Sequence, residues 1–386
     1  MIRDRSLRIA ILSEDFPPWT GGIAQWAYGI ASSLGRMGHE VTVCAKKKSV
    51  KNSNMHDRAS YRVVTMGGTQ WKYLRALYSG YYATKLYLEK PRFDLIISTT
   101  WNIAMAPAFL FRGTPVKTIV VAHGLEVTRN MSDLRLRLLA YTLRHSTMTV
   151  AVSRFTRDRI MSRIGLNPDQ TVVIPNGVDL NRFYRIQGKN PLRTKLGLLD
   201  KKVILTLARI IERKGHDMMI RALPRVLEKY PNTLYLIAGR GRRDVIEGLK
   251  SLSRELGLTD RVLFTGYVED AEMNYYYNLC DVYVMVSREL TDKGDTEGFG
   301  ITYLEANSCG KPVIGGNSGG VSDAIAHGQT GFLVDPEDVS QLTDKLLLLL
   351  SNPELADRLG RQGLERAQKF FTWDHAVTRL LETVGL

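Results

Sequence analysis

Short, continuous apolar runs recur along the 386-residue chain, separated by polar and glycine-containing stretches. Leu7–Ser13, Glu40–Ala45, Phe93–Ser98, Lys117–Ala122 and Thr149–Ser153 are such runs. A strand covered on both faces loses polar alternation, so they predict buried parallel strands. Between them the apolar spacing becomes helical, over Ala24 to Met37 and Met131 to His145. Trp71 to Lys90 carries Leu74, Leu77, Tyr78, Tyr81 and Leu88 at the same spacing. Ser153 is placed to cap a following helix.

The alternation starts again at Lys202–Ala208 and continues through Thr233–Ala238, Val262–Val268, Val282–Ser287, Lys311–Gly316 and Gly331–Val334. Helical patterns over Val339–Leu350, Glu354–Phe370 and Trp373–Val384 close the chain. Two series of βα units predict an α/β protein with two Rossmann-like domains. The polar stretch Arg185–Asn190 is the expected boundary, giving domains over 1–187 and 188–370. Two sheets with their strand ends on one cleft would suit an enzyme with one ligand per domain.

Charge changes this picture. Residues 1–185 hold 27 Lys and Arg against 12 Asp and Glu, while residues 186–386 hold 26 against 27. The whole excess of the +14 chain lies in its first half. A membrane surface, a phosphorylated substrate or nucleic acid would each suit that asymmetry, as would a basic surface serving solubility alone. Met131–His145, with Arg135, Arg137 and Arg144, fits an anionic bilayer interface or an ordinary surface helix. No apolar run reaches the roughly 18–20 residues of a membrane span. With no signal-type segment before Arg8, a cytoplasmic protein is expected. Cys44, Cys280 and Cys309 have no metal spacing and suggest no disulfide framework, so buried reduced thiols are expected.

In parallel sheets ligands bind beyond the carboxyl ends of strands, so the chemistry is sought there. Gly21-Gly22 follows the first strand at a helix start, where backbone can approach a phosphate or simply hinge a loop. A dinucleotide fingerprint is absent: the second strand runs into Lys46-Lys47-Lys48 instead of an acid. His123 ends the strand at Val121-Ala122, as a structural residue or as a donor to substrate. Arg209 and Lys214 flank a strand-to-helix loop where two cations suit a diphosphate. Glu297-Gly298-Phe299-Gly300-Ile301 then sets an acid and a tight turn before a helix, Ile301–Ser308, that carries Glu305. The free N–H groups of such a helix start suit a phosphate.

Taken in order, these features resemble the retaining GT-B glycosyltransferases of family 4. The resemblance rests on Gly21-Gly22, His123-Gly124, Pro175-Asn176-Gly177-Val178-Asp179, Arg209 with Lys214, Gly239-x-Gly241 and Glu297-x7-Glu305. Most specific is Glu297 to Val321, which is similar to bacterial lipid and polysaccharide mannosyltransferases, including the phosphatidylinositol mannosyltransferase group.

The resemblance implies a nucleotide-sugar donor held mainly by the second domain. Arg209 and Lys214 would neutralise its diphosphate, with backbone N–H groups at Phe299, Gly300 and Ile301. Glu305 would accept from the ribose, and Val268 would lie near the base. Gly22 would approach the phosphates, Glu297 the donor sugar, and His123 its reacting face. It further implies a final helix, 371–386, that crosses back to the first domain. A retaining transfer without metal or other cofactor would follow, with GDP-sugars preferred to UDP-sugars. The acceptor would be lipid-linked or a glycan, in cell-envelope polysaccharide or glycolipid synthesis. The basic first half would rest on the anionic inner face of the plasma membrane, and no nucleic acid is expected as partner. Three other readings compete: a sugar-nucleotide epimerase of the same architecture, a nicotinamide-dependent oxidoreductase, and a non-catalytic sugar- or nucleic-acid-binding module. The missing fingerprint opposes the oxidoreductase, and the paired acids and cations oppose loss of catalysis.

Overall fold

A computed structural model describes residues 5–18, 21–46, 60–66, 75–88 and 92–386. Lys47 and Lys48, and parts of the Trp71–Lys90 segment, lie outside the described residues.

The chain divides into two compact units. Unit 1 holds the described residues through Gly177 together with Trp373–Leu386; unit 2 is Val178–Thr372. In unit 1 the strands are β1 (Arg8–Ser13), β2 (Glu40–Lys46), β3 (Arg62–Met66), β4 (Leu95–Ser98), β5 (Lys117–Ala122), β6 (Met148–Ala151) and β7 (Thr171–Val173). They form one parallel sheet in the order β3-β2-β1-β4-β5-β6-β7. In unit 2, β8 (Lys202–Leu207), β9 (Thr233–Ala238), β10 (Val262–Gly266), β11 (Val282–Met285), β12 (Val313–Gly316) and β13 (Gly331–Val334) pair as β10-β9-β8-β11-β12-β13, again parallel. Both sheets reverse direction beside their first strand, between β1 and β4 and between β8 and β11. Such a switch point opens a crevice at the carboxyl ends of the two strands.

The apolar runs became strands because both faces are covered. In unit 2 Ile204, Tyr235, Ile237, Val282, Val284 and Ile314 are buried in one core with Met219, Leu223 and Leu346 from flanking helices. Ser153 caps the helix Arg154–Ile164, its hydroxyl accepting from the Thr156 N–H at 3.1 Å. Edge strand β3 and the helix Trp101–Leu110 were not evident from the pattern. The first has a mixed, half-buried sequence, and the second is apolar almost all round with Pro107 inside it.

Compactness divides the chain at 177/178, ten residues before the boundary expected at 187/188. Residues that look like a polar linker are tied to unit 2. Asn274 Oδ1 accepts from the Tyr184 N–H at 3.1 Å, Asn278 Oδ1 from the Ile186 N–H at 2.8 Å, and Phe183 meets Tyr277 edge-on. The chain leaves unit 2 after Thr372, and the helix Trp373–Thr383 joins unit 1. There Asp374 accepts from Ser33 Oγ at 2.5 Å and pairs with Arg36 at 2.6 Å. The Trp373 indole lies where side chains at Gly29 and Gly177 would stand, which explains why both are glycine. Trp373→Ala should therefore free this helix: a buried Trp-to-Ala change costs about 3–5 kcal/mol. Hydrogen exchange should rise in Trp373–Leu386 and in the helix Gly22–Arg36, and unchanged exchange would refute this anchoring role.

Candidate active site

The switch point of unit 2 gathers its charged groups on two loops, one after β8 and one after β11. The first ends in a 3-10 turn, Glu212–Lys214, closed by Gly215 in the left-handed region at φ 68°. A side chain at Gly215 would run into the Val286 carbonyl, so this glycine lets the turn lie against the end of β11. The turn carries Arg213 and Lys214 inward, leaving them 4% and 8% exposed. The second loop brings Glu297 to them. Its Oε2 accepts from Lys214 Nζ at 2.5 Å and from Arg213 Nη1 at 2.5 Å. Arg213 Nε also pairs with Asp295 at 3.0 Å, and Lys214 Nζ lies 3.2 Å from Met285 Sδ. Glu297 itself is braced from behind, where its carbonyl accepts the Gly320 N–H at 2.8 Å. A side chain at Gly319 would strike that same carbonyl.

Burial alone would raise the Glu297 carboxyl; Lys214 and Arg213 outweigh it and bring the pKa down to about 2. For Lys214 burial dominates and lowers the ammonium to about 8, against the pull of Glu297 and with help from Arg213 and Arg209. Burial also works against the Arg213 charge, but Glu297 and Asp295 more than offset it. At neutral pH the cluster is thus one buried carboxylate held between two cations, with Asp295 also paired to Arg213. Little solvent screens the two cations from further negative charge nearby.

The remaining expected residues fall around this cluster or apart from it. Arg209 is exposed, and its side chain makes no ion pair among the described residues. Arg213, which the sequence reading left unassigned, is the second cation on Glu297; it looks like one more solvated residue in a charged run. Phe299 is buried, Gly300 is left-handed at φ 93°, and Ile301 opens the helix Ile301–Ser308. Glu305 is 1% exposed and accepts from the Tyr277 hydroxyl at 2.5 Å. Val268 is buried just beyond β10, beside Tyr267, over whose ring the Arg240 guanidinium sits at 3.9 Å. Gly239 and Gly241 let their loop press on the backbone of Ala208 and Ile210.

In unit 1, Gly22 opens the exposed start of the helix Gly22–Arg36. His123 follows β5. Burial lowers its pKa to about 4, against a hydrogen bond to the Thr99 backbone, so the ring is neutral at pH 7. Its Nε2 is buried without a hydrogen-bond partner among the described residues. Thr296 Oγ1 and Ser318 Oγ, in unit 2 beside Glu297 and Gly319, are in the same position. Buried polar atoms left unpaired cost free energy, so within unit 2 the Thr296 and Ser318 hydroxyls beside Glu297 suit a polar ligand. Cys44, Cys280 and Cys309 are buried, and burial raises the thiols of Cys280, up to about 12, and of Cys309, so these two stay protonated at neutral pH.

Comparison with known proteins adds to this geometry. The family model for glycosyl transferases group 1 matches residues 189–366, and that for glycosyltransferase family 4 matches residues 20–182. The chain is 32% identical to the GDP-mannose-dependent alpha-(1-6)-phosphatidylinositol monomannoside mannosyltransferase of Mycolicibacterium smegmatis, with 97% of each chain covered. It is 30% identical to the protein of that name from Mycobacterium tuberculosis, again with 97% of each covered. The solved structure of Anabaena HepE in complex with UDP matches with a TM-score of 0.82 at 20% identity, over 98% of this chain and 100% of that one. At that identity the likeness speaks to the fold alone.

Two outcomes follow from the buried cluster. Glu297→Gln leaves buried Lys214 uncompensated and Arg213 paired with Asp295 alone, at a cost of about 3–5 kcal/mol. The ligand-free melting temperature should fall, and a nucleoside diphosphate should raise it by more than in the parent protein, since its phosphates replace the lost charge. An unchanged melting temperature would contradict the pairing. Because binding a diphosphate favours protonated Lys214, affinity should hold below pH 7 and fall as pH rises through about 8. Titration calorimetry from pH 7 to 9 should show this fall, and Lys214→Arg, charged throughout, should flatten it.

Proposed function

The chain belongs to the group 1 glycosyltransferases of family 4 and has their GT-B fold, and on that premise we propose that it transfers mannose from GDP-mannose to a lipid-linked mannoside with retention of configuration. The observation that carries this reading is the buried Arg213–Glu297–Lys214 cluster at the switch point of unit 2. Similarity to GDP-mannose-dependent enzymes along nearly the whole chain supports the choice of donor and acceptor class.

When the bond from the anomeric carbon to phosphate breaks, negative charge grows on the departing diphosphate. Lys214 and Arg213 would stabilise it together with Arg209, whose exposed side chain carries no competing ion pair among the described residues. N–H groups at Phe299, Gly300 and Ile301 would add to this at the start of their helix. These cations supply what a divalent metal supplies elsewhere, so the reaction needs none. Glu297, ionised and fixed by its two partners, would accept from hydroxyls of the donor sugar and favour positive charge at the anomeric carbon. Glu305, oriented by Tyr277, would hold the ribose, and backbone near Val268 the base. In unit 1, neutral His123 would hydrogen-bond the sugar through the unpaired Nε2, and Gly22 would admit a phosphate oxygen. The departing phosphate would take the acceptor's proton on the front face. Unit 1, which carries the excess positive charge, would rest on an anionic bilayer that presents the lipid acceptor.

A thermal-shift screen of nucleotide sugars tests the donor: GDP-mannose should raise the melting temperature more than UDP-glucose or GDP alone. A larger shift with UDP-sugars would overturn the choice of base. Turnover should survive excess chelator, and a strict divalent requirement would refute the metal-free mechanism. Flotation should recover the protein with anionic vesicles at low salt and lose it as salt rises. Nothing specific in the site favours an epimerase, which would split the donor without an acceptor.

A further inference from the structure

The sheet of unit 1 has a second end, opposite His123, and that end carries its own concentration of charge. At the amino ends of β5, β6 and β7 lies a pocket of ≈ 330 Å³ lined by Arg112, Lys117 and Arg144. No carboxylate lines it, and none of the three cations forms an ion pair among the described residues. Cations are common at such places, because helices end there and expose carbonyls. Two helices do so here, Trp101–Leu110 and Asp133–His145, and a third, Arg154–Ile164, ends on Arg144. Each helix end is worth about half a negative charge, so three full cations leave roughly +1.5 unanswered. The floor adds hydroxyls. Thr118 and Thr147 each accept the other's backbone N–H through Oγ1, at 3.1 Å and 3.0 Å, which leaves each hydroxyl hydrogen able to donate. Arg144 is fixed by donating from Nη2 to the Ile164 carbonyl at 2.7 Å.

The same two helices carry exposed apolar side chains. Phe109 and Leu110, 66% and 44% exposed, end the helix that leads into the pocket's Arg112 loop. Leu134, Leu138 and Tyr141 are exposed along one face of the helix that ends at the pocket, at i, i+4 and i+7. Tyr141 stacks on pocket-lining His145 with ring centroids 4.1 Å apart. Opposite this face, Leu139 and Leu143 are buried in unit 1.

A cationic, acid-free pocket flanked by exposed apolar side chains fits an amphiphile with an anionic head. We propose that this pocket binds the phosphate of an anionic phospholipid, with the acyl chains along Phe109, Leu110, Leu134, Leu138 and Tyr141. It is a non-catalytic lipid site, at the sheet end opposite the one that bears His123. The proposal rests on the reading of unit 1 as the membrane-facing unit only for where the lipid resides; the pocket is tested without a bilayer.

The probe is dihexanoylphosphatidylglycerol below its micelle concentration, titrated into the full chain. Arg112→Gln/Lys117→Gln removes two cations from the pocket, and Arg157→Gln/Arg159→Gln removes two from the surface of another helix. Each nearby basic residue contributes enough that the pocket pair should weaken binding about 30-fold. The surface pair should change it by about threefold or less. Donor binding should be normal in both. Equal loss in the two pairs, or no saturable binding by the parent protein, overturns the site. Displacement of the probe by inorganic phosphate at the same concentration, in matched ionic strength, would mean that the chains contribute nothing, and it overturns the lipid assignment. Flotation of the same proteins on vesicles with phosphatidylglycerol reports on the bilayer separately. If the parent protein fails to float yet binds the soluble probe, the membrane reading fails and the pocket stands.

Discussion

One buried carboxylate shared by two buried cations is the interaction on which the proposed chemistry depends. Lys214 and Arg213 keep the buried Glu297 carboxyl ionised, and Glu297 in turn supports the charge of both, with Asp295 helping at Arg213. Removing Glu297 leaves Lys214 uncompensated, and removing Lys214 leaves Arg213 between two acids; losing one partner of a buried pair costs several kcal/mol. The surroundings are fitted to the three: Gly215 permits the turn that buries the cations, and Gly319 and Gly320 hold the carboxylate from behind. A triad of this kind is poor value as stability, since hydrophobic residues of equal volume would serve as well. On the proposed reading its use is electrostatic. Glu297 and Asp295 balance the two cations at rest, and the cations would then meet the charge that grows on a departing diphosphate.

The place of the cluster follows from topology. Both sheets reverse beside their first strand, so the loops after β8 and β11 emerge together and their side chains meet. The opposite sheet ends have another character. There helices terminate and cations collect, and in unit 1 they exceed what the helix carbonyls require. A unit with a neutral His123 at one end of its sheet and an acid-free basic pocket at the other is polarised along its strands.

Much of this was legible in the sequence where one local rule dominates. Apolar runs without alternation became parallel strands, and the helix Ile301–Ser308 has the expected ends because left-handed Gly300 starts it. Rules failed where long-range packing decides. Tyr184 and Ile186 look like linker until Asn274 and Asn278, some 90 residues on, bind their backbone. Arg213 looked like any solvated cation, and only the turn before Gly215 buries it. Arg209, the stronger candidate in the sequence, stays exposed. Glu305 is expected to face a ribose; in the structure it anchors Tyr277, a partner that its spacing from Glu297 does not reveal.

If the cluster acts on the diphosphate mainly as it departs, its cations should matter more to turnover than to donor affinity. The direct measurement is kcat for mannose transfer beside Kd for intact GDP-mannose, in the parent protein and in Lys214→Met. Loss of one such donor of positive charge should lower kcat by about 10²–10³-fold, while Kd for the donor rises by roughly tenfold or less. A kcat within a few-fold of the parent, or a loss carried wholly by Kd, would contradict the account.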